Sequence, residues 1–327
     1  MTPRVESTVV LRSARGRSIR DAVAECLQAC RWEELVPSGA TVLVKPNLCT
    51  AVPEKWRESN TAPELTEAVC EMLRSRTSRV VVAESDGLRQ TADEAFAVSG
   101  YVDMAKRVDV RLLNLSHDEW TAVPCAPMDR VELPRTLLEA DVFITLPVLK
   151  THALTYFTGA LKNQWGCLPQ YDRILYHKHL DPMLVSLHRL LKPALAVMDG
   201  IIAMEGRGPA NGKPRRLDLV LSSRDSVALD ASAMRLVGLE PTRSRHIALA
   251  AREGLGQIDD LAIARDGDWA THATTFEPAI LDKAIAAMNY MTRYRWFVKS
   301  MLETDYVFYP IRSAVQLLRR VGVVEGG

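Results

Sequence analysis

The sequence lacks the features that usually indicate a membrane-spanning or a nucleic-acid-binding protein. It contains no run of 18 apolar residues, which argues against a transmembrane helix. Its 41 basic and 40 acidic residues leave a net charge of +1, so the composition gives no support to nucleic-acid binding. The amino terminus has no signal-peptide pattern, and scattered cysteines fit a reducing compartment, so we expect a cytoplasmic protein.

Several familiar site motifs are also missing. The six cysteines form no Cys-x-x-Cys pair, and we therefore expect neither a structural zinc site nor an intrinsic iron–sulfur cluster. No Gly-x-Gly-x-x-Gly follows a predicted strand, and no Walker-type phosphate loop is present, which removes the usual arguments for a nucleotide. Gly-x-Ser-x-Gly and His-Glu-x-x-His are absent as well. The cofactor is therefore unknown, with a divalent cation as one candidate.

What the sequence does contain is an alternation of short β-branched apolar runs with helical patterns. This alternation predicts an α/β fold with a parallel or mixed sheet, covered by helices on both faces. Thr61 with Glu64, and Thr91 with Glu94, have capping-box spacing at two helix starts. Strands are predicted at 41–44, 79–83, 110–113, 142–147, 194–198 and 217–221, and helices at 18–32, 63–75, 92–98, 182–191, 226–237 and 244–253.

The character of the chain changes near its carboxyl end. We expect residues 1–277 to form one continuous α/β domain and residues 278–327 to form a C-terminal helical arm. Seven of the chain's 20 aromatic residues fall between positions 290 and 309, beside Arg293, Arg295 and Lys299. Such an arm can dock on the core, cover a substrate, join two copies in a homo-oligomer or attach to a membrane surface. The sequence leaves these alternatives open.

Polar residues follow the predicted strands at the points where they end. In an open α/β sheet, ligands bind outside the carboxyl ends of the strands, because loops and helix starts converge there. The regularity over five strands therefore predicts a composite binding site along one rim of the sheet. The segments that supply it are 45–47, 84–87, 150–152, 199–209 and 222–225.

The most informative segment is 145–167, which carries Lys150, His152, Lys162 and Asn163. Charged and amide side chains in so apolar a setting are costly to bury unless something pairs with them, which points to an anion or an acid–base step. We expect Lys150, His152 and Lys162 to be catalytic, with His152 as the best candidate for the general acid or base. The alternative for His152 is a buried histidine that is held by hydrogen bonds. His177 and His179 fit a surface loop or the segment that leads into the next helix.

The other polar residues of the rim divide into two groups. The predicted substrate-binding residues are Lys45, Asn47, Asn163, Arg207 and Asp225. Four carboxylates offer the oxygen ligands that a divalent cation prefers, namely Glu84, Asp86, Asp199 and Glu205. These carboxylates can instead neutralise the lysines, and Asp225 can instead cap the helix that follows it.

Several motifs of this rim, in their order along the chain, resemble the DUF362 family. They are Val-Lys-Pro-Asn-Leu at 44–48, Leu-Pro-Val-Leu-Lys-Thr-His at 146–152, Ala-Leu-Lys-Asn-Gln-Trp-Gly at 160–166, the segment 198–209 and Ser-Arg-Asp-Ser-Val-Ala-Leu-Asp at 223–230. The family is a domain of unknown function, sometimes fused to ferredoxin modules, whose cysteine clusters this chain lacks. The resemblance implies a shared pattern without assigned roles that includes Lys45, Lys150, His152, Lys162, Asn163, Asp199, Glu205, Asp225 and Asp230.

Three functional hypotheses follow. The leading one is an enzyme that acts on a small anionic molecule, carboxylated or phosphorylated, by proton transfer or metal-assisted chemistry at the rim of the sheet. The second is a non-catalytic carrier that brings an anion, a metal or a cofactor to an iron–sulfur redox partner. The third is a peripheral interaction protein that uses the 278–327 arm.

Overall fold

The protein is built around a ten-stranded mixed β-sheet. The computed structural model describes residues 7–87, 90–169, 171–281 and 283–303. A separate two-stranded sheet is formed by residues 120–125 and 128–134. The strands are β1 (Ser7–Ser13), β2 (Val42–Pro46), β3 (Val80–Glu84), β4 (Arg111–Asn114), β5 (Trp120–Cys125), β6 (Met128–Pro134), β7 (Val142–Leu146), β8 (Val148–His152), β9 (Tyr156–Phe157), β10 (Leu195–Glu205), β11 (Lys213–Ser223) and β12 (Ile263–Asp266).

Helices pack on both faces of the large sheet, so the α/β prediction is confirmed. The described helices are α1 (Ile19–Ala29), α2 (Trp56–Ser59), α3 (Pro63–Arg74), α4 (Ala92–Val98), α5 (Tyr101–Val108), α6 (Arg135–Glu139), α7 (Gly159–Asn163), α8 (Leu180–Leu191), α9 (Ser226–Leu236), α10 (Arg245–Arg252), α11 (Trp269–His272), α12 (Lys283–Met291) and α13 (Arg295–Glu303). None of these helices combines the length and the apolarity that a bilayer crossing requires.

The order of strands across the sheet is β12-β1-β11-β10-β7-β2-β3-β4, with β8 beside the second half of β10. Along this path β11 runs antiparallel to β1 and to β10, while the other neighbours are parallel. The carboxyl ends of β2, β3 and β7 therefore meet at one edge, which we call the carboxyl edge. The carboxyl end of β11 lies at the opposite edge.

Alternating side chains of the strands bury two separate apolar layers. Val42 and Val44 face the layer that contains α1, α3 and α5, whereas Leu43 faces the other side of the sheet. Val9 and Leu11 pack with α9 and α10 on that other side. Because both faces are covered, the central strands read as continuous apolar runs, which is why their positions are visible in the sequence.

The two predicted capping boxes, at the starts of α4 and α3, have different outcomes in the structure. At α4 the capping box is confirmed: Thr91 accepts from the Glu94 amide, and the Glu94 side chain accepts from the Thr91 amide. At α3 the predicted box is wrong. The Oγ1 of Thr61 donates to the Leu146 carbonyl at 2.7 Å, and a remote carboxylate, Asp199, accepts from the Ala62 amide at 2.7 Å.

The segment after residue 198 also differs from the prediction. A rim loop was expected from Asp199 onward, but β10 continues to Glu205 and returns through residues 206–212 into β11. Gly208 in this turn lies so close to the Thr151 carbonyl that a Cβ atom there would overlap it. The turn therefore packs directly on the end of β8.

In the segment predicted to form the C-terminal arm, the structure describes the helices α12 and α13. Thr292 and Val298 are buried, and α13 contacts the 3-10 segment 171–179. Three aromatic residues of the predicted arm, Tyr306, Phe308 and Tyr309, lie outside the described residues.

Candidate functional site

A buried ion pair occupies the centre of the carboxyl edge. The Lys45 ammonium lies 2.7 Å from Glu84 Oε2, and both side chains are almost fully enclosed. Glu84 also accepts from the backbone amides of Leu48 and Ser85. A Cβ atom on Gly166 would meet Glu84 and Lys45 at 2.5 Å and 2.7 Å, so the pair fits only because position 166 has no side chain. Lys45 is therefore neutralised within the protein and is not presented to a substrate.

The predicted substrate-binding amides are likewise used inside the protein. Asn163, at the end of α7, donates to the Lys45 carbonyl and to Thr145 Oγ1. Asn47 donates from Nδ2 to the Ser59 carbonyl at 3.2 Å. Both side chains are buried. The two asparagines thus join α7 and the 47–61 loop to the strands, and they position the site rather than contact a ligand.

Lys150 is fully buried at the end of β8. Its ammonium donates to the Ser59 carbonyl at 2.8 Å and lies 3.3 Å from the thiol sulfur of Cys49. Within the part of the chain that the structure describes, no carboxylate forms an ion pair with it. Cys49 is partly exposed, unlike the other five cysteines, which are buried. Lys150 therefore places a buried positive charge next to an accessible thiol.

Lys162, on α7, has the least satisfied charge of the site. Burial, followed by the charges of Arg173, Lys150 and Lys45, lowers the pKa of its amine to about 7. The amine lies 5.4 Å from the centre of the Trp165 ring, and no described carboxylate pairs with it. Part of the side chain remains exposed. At neutral pH this amine is consequently divided between its ammonium and neutral forms.

His152 is held as a neutral ring. Its Nδ1 atom accepts from the amides of Leu154 and Thr155 at 3.1 Å and 3.3 Å, which leaves the ring proton on Nε2. Burial, followed by the charge of Lys162, lowers its pKa well below the ordinary value. A histidine fixed in this tautomer donates a hydrogen bond from Nε2. This geometry favours a donor role over the proton-shuttle role that the sequence suggested.

Two further side chains, the cation Arg173 and the neutral ring of His177, reach the site from the 171–179 segment. The Arg173 guanidinium donates to Ser85 Oγ at 2.8 Å and to the Leu168 carbonyl at 2.7 Å. The His177 ring lies 5.4 Å from the Trp165 ring, and burial lowers its pKa to about 3. His177 is half-buried, so the expected surface loop is in part a wall of the site. Arg173 was not identified from the sequence.

Asp230, on α9, positions the start of α7. Its carboxylate, in the interior of α9, accepts from the backbone amides of Ala160 and Leu161 at 2.6 Å and 3.0 Å. Burial raises its pKa to about 7. Gly159 has φ +59°, and a Cβ atom there would overlap the Asp230 carboxylate. The first turn of α7, and with it Lys162, is thus fixed by a carboxylate 70 residues away in the sequence.

The four carboxylates considered for a divalent cation are dispersed and already bonded. Glu84 pairs with Lys45, Asp86 accepts from the Ala92 amide at the start of α4, Asp199 accepts from Ala62 and Ile201, and Glu205 pairs with Arg215. Among the described residues, no group of three or more histidine, cysteine or acidic side chains could hold a metal ion. The described geometry therefore gives no support to this proposed cation site.

Two predicted substrate ligands remain. Asp225 caps α9 by accepting from the amides of Val227 and Ala228, and it accepts from Ser7 at the start of β1. It follows the reversed strand β11, so it lies at the amino edge and does not join the other residues. Arg207 lies half-buried in the turn that packs on β8, near the carboxyl edge.

Comparison with known proteins agrees with the motifs along this edge. Residues 42–235 match the family model described as "Domain of unknown function (DUF362)". The chain belongs to the DUF362 family. Each residue placed in the site above, from Lys45 to Asp230, falls within the DUF362 match, whereas α12 and α13 lie beyond it.

Two individual proteins are similar to this DUF362 chain. A thylakoid-associated protein of Synechocystis sp. is 30% identical over 227 residues, which are 67% of this chain and 70% of that protein. The lactate racemase apoprotein of Thermoanaerobacterium thermosaccharolyticum has a TM-score of 0.45 and 14% identity, with 68% of this chain and 55% of that one covered. The chain thus spans little more than half of the racemase structure.

Proposed function

We propose that this protein is an enzyme that acts on a small molecule bearing a carboxylate or phosphate group, bound at the carboxyl edge beside Lys162. The observation that carries the proposal is the charge of Lys162. Its side chain is partly exposed, the charges of Arg173 and Lys150 are close enough to lower its pKa, and no described carboxylate balances it. An uncompensated cluster of cations at the end of a sheet is stabilised when an anion enters it.

Within this proposal the three predicted catalytic residues have different roles. Lys150 supplies a fixed positive charge, and the Nε2–H of His152 donates a hydrogen bond to the anion. Lys162 has a pKa near 7, which suits a group that must both accept and release a proton at neutral pH. The cations hold the anion while the amine acts on an adjacent atom.

The chemistry that this set supports is proton transfer next to the bound anion. The neutral amine of Lys162 takes a proton from the substrate and becomes an ammonium, and the negative charge that develops on the substrate is stabilised by Lys150 and His152. The ammonium then returns a proton to the same or a neighbouring atom. The step balances without an oxidant or a metal ion.

Binding and exchange experiments test this proposal with Lys162→Met. The full chain is titrated with oxalate and with inorganic phosphate by calorimetry, and a panel of small carboxylic acids is incubated with it in D₂O. We expect wild type to bind at least one of these anions and to catalyse deuterium incorporation into a panel member. Lys162→Met should weaken binding about tenfold or more and abolish exchange, because it removes both the charge and the base.

The matched control is Lys178→Met, an exposed lysine on the segment that carries Arg173. It should bind and exchange as wild type does. If Lys162→Met bound the anions as tightly as wild type, the site would be elsewhere. If anion binding depended on Lys162 but no substrate exchanged a proton, the protein would be a carrier and the enzymatic proposal would be rejected.

A further inference from the structure

We infer that the surface formed by α12 and α13 docks on an anionic lipid bilayer. Four aromatic rings form a continuous group there: Tyr290 and Tyr294 are 6.0 Å apart, Tyr294 and Trp296 6.4 Å, and Trp296 and Phe297 5.9 Å. We call these four residues the aromatic patch. Trp296 is 65% exposed and Tyr290 is 52% exposed, values that are unusual for large aromatic side chains.

Basic residues predominate around the aromatic patch. From Lys283 to Leu302 the chain has four basic residues and no acidic one, and the acidic residues Asp282 and Glu303 flank this stretch. Arg293 lies 5.1 Å from the centre of the Tyr290 ring, and both Arg293 and Arg295 are exposed. Exposed tyrosine and tryptophan rings favour the headgroup region of a bilayer, and nearby arginines attract anionic lipids. The exposed aromatic rings and the neighbouring arginines therefore both favour binding to an anionic bilayer.

A second copy of this chain fits the same surface less well. An isologous contact through the aromatic patch would bring the arginines of both copies together. Lys283–Leu302 supplies no carboxylate to neutralise them. Anionic phospholipid headgroups supply that negative charge over a broad area. In a contact between two copies, the arginines of one copy would instead repel those of the other.

The aromatic patch also has a defined relation to the rest of the molecule. Thr292 and Val298 of the arm are buried, and α13 contacts the segment 171–179 that carries Arg173 and His177. The docking surface is thus attached to an element of the carboxyl edge. This inference stands on exposure and charge alone and does not depend on the proposed enzymatic activity.

Vesicle co-sedimentation of the full chain tests the inference. We expect binding to vesicles of phosphatidylcholine with 30 mole per cent phosphatidylglycerol, about tenfold or more weaker binding to phosphatidylcholine alone, and loss of binding in high salt. Arg293→Gln with Arg295→Gln should weaken binding about 25-fold, since each basic residue near the surface contributes about fivefold. Trp296→Ala with Tyr294→Ala should weaken it by about tenfold or more.

Matched controls are Arg252→Gln, an exposed arginine at the end of α10, and Leu261→Ala, which is 98% exposed. Both should bind vesicles as wild type does, and circular dichroism should show that each variant is folded. Equal binding to neutral and anionic vesicles, or unchanged binding of the arginine variant, would overturn the inference. So would a dimer in solution, measured by light scattering, that Trp296→Ala converts to a monomer.

Discussion

At the scale of single residues, Lys162 is the most consequential group of the carboxyl edge. Lysine side chains ordinarily titrate near pH 10.4, so an amine that titrates near 7 changes its charge across the physiological range. The cause is largely burial, with Arg173, Lys150 and Lys45 adding to it. A bound anion would favour the ammonium form and oppose this effect.

The pH dependence of anion binding should therefore follow Lys162. Its ammonium is present below about pH 7 and is lost as the pH rises through that value. We expect the affinity for oxalate, which is fully ionised above pH 6, to fall by up to about tenfold per pH unit above pH 7. Calorimetric titrations at pH 6, 7, 8 and 9 measure the effect. In Lys162→Met the affinity should be low and nearly constant over this range, and a parallel decline in both proteins would assign the titration to another group.

At the scale of elements, the short helix α7 depends on a partner that its own sequence does not supply. Asp230 bonds the two amides at its start, as a capping residue would, but from the neighbouring helix α9. Asparagine at this position keeps one oxygen and replaces the other with an amide that faces a backbone N–H. The start of α7 would then lose one of its two bonds.

Asp230→Asn should therefore act on stability and on the site together. We expect a loss of about 1 kcal/mol in the free energy of unfolding, measured with urea, and weaker oxalate binding because α7 carries Lys162. The matched control is Asp225→Asn at the amino edge, which keeps the Oδ1 atom that caps α9 and replaces Oδ2, the acceptor for the Ser7 hydroxyl and the Gln257 amide. It should lose comparable stability without affecting anion affinity. The pH at which oxalate binding declines should move in Asp230→Asn and stay fixed in Asp225→Asn.

The elements themselves were largely predictable. Strands buried on both faces read as continuous apolar runs, and α4 contains its own capping box, so local sequence specified them. The start of α3 was not predictable in this way, because its cap is Asp199 on β10. The length of β10 was also missed, since the part of the strand beyond Met198 carries the polar residues Asp199 and Glu205, whose hydrogen-bond partners include groups on other segments.

At the scale of the whole molecule, strand order decided which predicted residues meet. Sequence order placed Asp225 after a strand, as it did Lys45 and Glu84, and gave no sign that β11 is reversed. The sequence also could not show that Lys45 and Glu84 neutralise each other or that Asn163 is bonded to the strands. These pairings join segments far apart in the chain, so no local spacing reports them. Of the predicted site residues, Lys150, His152 and Lys162 are the ones we propose to act on a ligand.

Buried histidines should make the whole fold sensitive to acid. Burial lowers the pKa of His188 to about 4, whereas the unfolded residue titrates near 6.5. Between these values the unfolded chain binds a proton that the folded chain does not, so stability is lost as the pH falls. Asp199 and Asp230, whose pKa values burial raises to about 6 and about 7, act in the opposite direction. The net pH dependence of the free energy of unfolding is therefore the sum of these opposing contributions.

His188→Asn isolates one of these contributions. The Nδ1 atom of His188 lies 2.9 Å from Gln164 Nε2, and asparagine retains an acceptor for that amide. Between pH 6.5 and 4.5, we expect the free energy of unfolding of wild type, measured with urea, to fall relative to the variant by about 1.4 kcal/mol per pH unit. The exposed His117→Asn should follow wild type. Identical slopes for wild type and His188→Asn would show that another group senses the acid.

The bare position at Gly166 has an evolutionary consequence. Any side chain there would place its Cβ atom 2.5 Å from Glu84 Oε1 and 2.7 Å from Lys45 Nζ, the charged ends of two buried side chains. Positions 45, 84 and 166 are therefore constrained to change as a unit. A homologous chain with alanine at the position of Gly166 should also have lost the lysine or the glutamate, and an ancestor that acquired the ion pair must already have had glycine there.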